Sequence, residues 1–139
     1  MLITTNHKKT IMKSNMIWAN FGVKDLERTT QFYTALGFKS NGRSDDLTSF
    51  FFGENNFIIH FFKKEILNKN LGLEISDSEK SNEIIFTISA ETKEEVDQWS
   101  EKIKNSEGKL ISNPEEFGDN YYGFIFADPD GHKFNVFMM

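Results

Sequence analysis

The 139-residue sequence holds few groups able to do chemistry, with three histidines and no cysteine. A cysteine nucleophile, a thiolate zinc site and a structural disulfide are therefore excluded. His60 stands inside the aromatic run Phe57–Phe62 (FIIHFF). An imidazole there can bind a ligand or act as acid or base near neutral pH. It can equally be a satisfied histidine within a core strand. Trp18 and Asn20 share one side of an alternating segment, where an indole and an amide suit a planar ligand by stacking and orientation. Trp18 can also simply fill space. His132 follows the run Asp128-Pro129-Asp130-Gly131 and reads as a solvated turn residue, and His7 lies in an N-terminal tail. Proline at the second and glycine at the fourth place of that run spell a tight turn. It lacks the later ligands of a calcium loop. No Ser/His/Asp arrangement has local support, and no glycine-rich phosphate loop occurs.

The elements that must position these groups come in two similar series. In Met16–Val23, Ile17, Ala19, Phe21 and Val23 alternate with Trp18, Asn20 and Gly22, the pattern of a half-buried strand. Asp25 is a candidate N-cap for a helix whose apolar stripe is Leu26, Thr29, Phe32, Tyr33 and Leu36, ended by Gly37. Short strands are expected near Phe38–Asn41 and Leu47–Phe52, then the turn Gly53-Glu54-Asn55-Asn56 and the strand Phe57–Phe62. Residues 63–81 are polar and weakly patterned, as a linker would be. The order then repeats: the strand Glu83–Ala90, a capping box of Thr92 and Glu95, the stripe Val96, Trp99 and Ile103, and Gly108. Strands near Lys109–Ser112, Tyr121–Phe126 and His132–Phe137 close the chain. Glu91, Glu94, Glu95 and Asp97 crowd the second helix's first turn, where acids favour its dipole. The sequence thus predicts two βαβββ modules, about residues 16–62 and 82–139, behind a tail at residues 1–15. Each module buries a helix against one sheet face, and the remaining faces are expected to enclose a cleft.

Composition excludes several function classes. The chain is 38% hydrophobic with 15 Phe, enough to build a core, so disorder is not expected. A net charge of −5 argues against nucleic acid as a partner. No apolar run is long enough to span a bilayer, and Met1–Asn15 has no apolar core of a secretory signal. A cytoplasmic protein with neither membrane nor nucleic-acid partners is the expectation.

The run Val23-Lys24-Asp25-Leu26-Glu27-Arg28 after a strand, then Phe32-Tyr33 and Leu36-Gly37-Phe38, resembles the opening of vicinal oxygen chelate proteins. These include the glyoxalases, bleomycin-resistance proteins and extradiol dioxygenases. The ending Phe126-Ala127-Asp128-Pro129-Asp130-Gly131-His132 is similar to their closing turn and strand, so the resemblance spans about residues 16–139. It implies an α+β fold of two βαβββ modules forming a curved eight-stranded mixed sheet around a cleft, with helices on the outside. It also implies a homodimer. One such scaffold hosts metal-dependent isomerases, dioxygenases and non-catalytic drug binders, so the resemblance does not choose among them.

Catalytic members hold a divalent metal on side chains from four cleft-facing strands. Carried over by position, the four places are Trp18, His60, Ile85 and Asn135. An indole offers only an N–H donor and isoleucine offers nothing. Neutral Asn is a feeble ligand for a catalytic ion, and one imidazole falls short of the three protein ligands of a zinc-type site. No metal and no other cofactor is expected. The leading reading is a cleft that binds a small aromatic or amphipathic molecule, lined by Trp18, Asn20, Phe52, His60, Thr87, Tyr122 and Asn135. The alternatives are a lyase, isomerase or dioxygenase with an atypical or metal-free site using His60, or a regulatory module whose cleft its own side chains fill.

Overall fold

A computed structural model describes residues 12–138; His7, with the rest of residues 1–11 of the expected tail, and Met139 lie outside it. The first module runs β1 (Trp18–Val23), α1 (Leu26–Ala35), β2 (Lys39–Arg43), β3 (Leu47–Phe52) and β4 (Phe57–Lys63). The Asp25 carboxylate caps α1 by accepting from the Arg28 amide at 3.0 Å. Its four strands form one sheet in the order β1-β4-β3-β2, with β1 parallel to β4. The β3–β4 hairpin pairs Phe52 with Phe57 and Ser49 with His60.

The second module runs β5 (Phe86–Ala90), α3 (Lys93–Lys104), β6 (Lys109–Leu110), β7 (Glu115–Phe117), β8 (Tyr121–Ala127) and β9 (Lys133–Met138). Its sheet has the order β5-β9-β8-β6, and β7 also pairs with β8. Thr92 Oγ1 accepts from the Glu95 amide at 3.1 Å, while the Glu95 carboxylate accepts from the Glu91 amide. The capping box therefore reaches back one residue further than expected.

Both sheets contribute their Phe-rich faces to a single core. Tyr33 of α1 stacks on Phe61 at 4.6 Å and meets Phe134 of β9 at 6.2 Å. Phe52 of β3 lies 6.2 Å from Phe134. In one continuous sheet β3 and β9 would be separated by at least three strand spacings, about 14 Å. The two sheets instead face each other across the helices, and the expected single eight-stranded sheet is replaced by a four-stranded and a five-stranded one. Alternate residues of each strand point to opposite faces. Trp18, Asn20 and His60 therefore look outward from one sheet, Thr87 and Asn135 outward from the other, and one chain does not close a cleft between them.

Two further expectations are corrected. Residues 63–81 are not simply a linker, because Lys64–Leu71 forms α2, ended by Gly72 with φ 68°. Leu67 of α2 is buried, and Ile75 beyond it lies where a side chain on Gly22 would project. Helix and loop together pack against β1. The segment Glu83–Ala90 becomes a strand only from Phe86, and Ile84 and Ile85 before it are exposed. Among the described residues no helix is long and apolar enough to cross a membrane.

Candidate functional site

The outer face of the first sheet carries the candidate site. Asn20 sits directly across from His60 in the β1–β4 register. The Trp18 ring lies 5.9 Å from the imidazole, and Phe62 meets it edge-on at 6.0 Å. From β3, Ser49 Oγ lies 2.8 Å from His60 Nδ1 and accepts a hydrogen bond from Asn41 Nδ2 at 3.1 Å. This pair of hydrogen bonds orients the ring through Nδ1, and Nε2 makes no hydrogen bond among the described residues. Partial burial lowers the His60 pKa from 6.5, so the imidazole is neutral at physiological pH. Trp18 is 46% exposed, so the indole end of this face is open to solvent, while Ile75 packs over Gly22 at its other end.

Ser49 and Phe62 were not singled out from the sequence. The hairpin register carries the signal: a turn over Gly53–Asn56 that pairs Phe52 with Phe57 must place Ser49 opposite His60.

Thr87 and Asn135 are likewise register partners, on β5 and β9. They share an outer face, but it is the other sheet's. Phe52 is buried on the inner face of the first sheet. Tyr122 is a correction of a different kind. It lies on the helix side of its sheet, donating a 2.6 Å hydrogen bond to Asp97 of α3 with the Lys93 ammonium over its ring. That hydrogen bond raises its pKa, and it lines neither outer face.

The donor set does not fit the divalent metal typical of catalytic relatives. Ile85 lies outside β5, Asn135 stands on the opposite sheet from His60, and the nearest neighbours of His60 are an indole, an amide and a hydroxyl. Among the described residues no three His, Asp or Glu side chains converge on one point.

His132 is buried, not solvated as its turn suggested. It is 2% exposed and stacks on Phe21 at 4.2 Å. Its Nδ1 lies 2.7 Å from Asp128 Oδ2, which also accepts from the Tyr33 hydroxyl at 2.7 Å. Asp130 Oδ1 accepts from the Lys24 amide and from the Arg28 guanidinium at 3.1 Å. The Asp128–Gly131 turn thus ties the second module to β1 and α1 of the first.

A profile of the glyoxalase/bleomycin resistance protein/dioxygenase superfamily matches residues 15–136. The chain belongs to that superfamily. Among solved structures, the hypothetical protein SA1046 of S. aureus superposes with a TM-score of 0.81 at 29% identity, over 92% of this chain and 96% of that one. A lactoylglutathione lyase from Agrobacterium tumefaciens gives 0.67 at 18% identity, covering 91% and 95%. The fosfomycin resistance protein FosX of Mesorhizobium loti gives 0.65 at 14% identity, covering 92% and 94%. These last two show the shared fold alone. No curated protein matches significantly.

Proposed function

We propose that this superfamily member binds a small aromatic or amphipathic molecule against the outer face of its first sheet, without a divalent metal. One observation carries the reading: an imidazole pinned through Nδ1 by Ser49 stands beside Asn20 and a half-exposed Trp18. The indole and Phe62 supply stacking surface, and His60 Nε2 and the Asn20 amide supply direction.

The second wall comes from another copy in this reading. Thr87 and Asn135 stand on the opposite side of the molecule, so two chains related by a twofold axis can set one copy's Thr87–Asn135 face over the other's Trp18–His60 face. Such an arrangement makes two equivalent clefts.

The test uses Trp18 as its own reporter. A panel of aromatic amphiphiles should quench or shift Trp18 emission, Trp18→Phe should remove that response while Trp99 remains, and His60→Ala should weaken it about tenfold, the worth of one hydrogen bond to a ligand. A panel that leaves Trp18 emission untouched refutes the reading. The pinned, neutral imidazole also favours a second reading, acid–base catalysis at His60 in the manner of a lyase. Turnover that is lost in His60→Ala, in protein shown by elemental analysis to carry no metal, would establish it.

A further inference from the structure

A further cavity lies elsewhere, on the inner side of the molecule. It measures about 620 Å³ and sits between the β3–β4 turn and β5, floored by aromatic side chains that include Phe38, Phe52 and Phe86. That volume falls in the range of cavities that hold drug-sized molecules. Phe38 and Phe52 pack at 4.3 Å, so the floor is a formed aromatic surface.

The rim is acidic. Among the described residues Glu54, Glu91 and Glu95 line the cavity, and no lysine or arginine does. Glu95 belongs to the helix cap, where the start of α3 accounts for its charge. Glu54 does not. It lies on the opposite wall, in a turn where Gly53, Glu54 and Asn55 all have positive φ, from 56° to 71°. Two non-glycine residues in that conformation cost backbone energy, and the turn they form carries the Glu54 side chain to the cavity.

The wall between the two rims is also polar. Phe86, Thr87, Ile88 and Ser89 all line the cavity, so it runs along a strand edge rather than over one face. Among the described residues β5 pairs only with β9, and its other backbone edge therefore offers carbonyl acceptors.

We propose that this cavity is a second binding site, for an organic ammonium ion with an apolar or aromatic body. Phenyl rings below a cation attract it through their π faces, carboxylates at the rim pair with it, and strand carbonyls accept its N–H bonds. An anion of the same shape meets only like charge. The site is separate from the Trp18–His60 face and does not depend on it.

Phenylpropylamine, phenylpropanol and phenylpropionate are matched probes of one shape and three charges. Calorimetry should give the amine about tenfold tighter binding than the alcohol, the contribution of a cation–π contact with a partly shielded ion pair. The propionate should bind weakest. Amide NMR shifts should centre on Gly53–Phe57 and Phe86–Ser89. Glu54→Gln with Glu91→Gln should remove the ion-pair share of the amine's advantage and leave the affinity of the alcohol unchanged. Ser89→Lys, which leaves the core intact, should block the amine with a built-in ammonium. His60→Ala should change none of this, although it weakens the response at the outer face. Absence of amine binding at millimolar concentration, equal affinity for all three probes, or shifts confined to Trp18–His60 would overturn the proposal.

Discussion

Removing one oxygen atom from the core tests how the two modules are joined. Tyr33 is fully buried, and its ring packs on Phe61, Phe38, Phe50, Phe52 and Phe134. Tyr33→Phe keeps all of those ring contacts. It deletes only the hydroxyl that donates to Asp128 Oδ2 at 2.7 Å. Asp128 is not orphaned by the change, because His132 Nδ1 and the amides of Asp130 and His132 still donate to it. The loss is therefore that of one buried hydrogen bond to a carboxylate, about 1.5–3 kcal/mol. For a chain of this size that is a fall in Tm of roughly 5–10 °C.

Urea denaturation followed by circular dichroism at pH 7 measures the difference. Its pH dependence gives an independent sign. Burial, and then the neighbouring Asp128, push the Tyr33 phenol well above its usual pKa of 10. The folded state thus favours the protonated phenol, whose contribution is complete below pH 10 and is lost as pH rises beyond it. The gap between wild type and Tyr33→Phe should be constant below pH 10 and shrink above it. A loss under about 0.5 kcal/mol, below the range of even neutral hydrogen bonds, or a gap that widens in alkali, refutes the assignment of this hydroxyl as a tie between modules.

Other outcomes follow from single contacts. A Cβ on Gly123 would run into the Val136 carbonyl oxygen, so Gly123→Ala should cost about 1–3 kcal/mol in the same denaturation assay. Gly131 has φ 94° and lies against the Glu79 backbone, so Gly131→Ala should release the segment around Ser78–Asn82, seen as faster proteolysis there. Histidine NMR should show His60 titrating below 6.5. Because its folded pKa is lowered by burial, its neutral form contributes stability that is present above pH 6.5 and lost as pH falls below it. Ser49→Ala should free the ring and broaden its resonances.

Local periodicity made much of this fold legible. Leu47–Phe52 was readable to the residue, and the Asp25 and Thr92 caps stand where short-range hydrogen-bonding chemistry requires. α2 escaped because it has two turns, no side-chain N-cap and one buried residue, Leu67, too little for a 3.6-residue pattern to show. The three-residue β7 was similarly short. The site was harder. Trp18, Asn20 and His60 share a face that alternation on two strands could predict, and the structure brings them together. Which face of each sheet turns inward was not decidable locally, since both faces carry phenylalanines. That choice separates Thr87 and Asn135 from His60. The burial of His132 depends on Phe21, distant in sequence, so its own turn gave no hint of it.

The loop that lies over β1 bears on how safely the chain can exist unpaired. Exposed strand borders template runaway association. Here β2 carries Lys39 and Arg43 and breaks register at Gly42, while the far border of the second sheet is split between β6 and β7. β1 is flanked by α2 and the loop to Ile75 instead. Conditions that lift α2 without melting the core would leave six aromatic-rich residues ready to recruit a neighbour. Aggregation in this protein should therefore begin from a nearly native molecule.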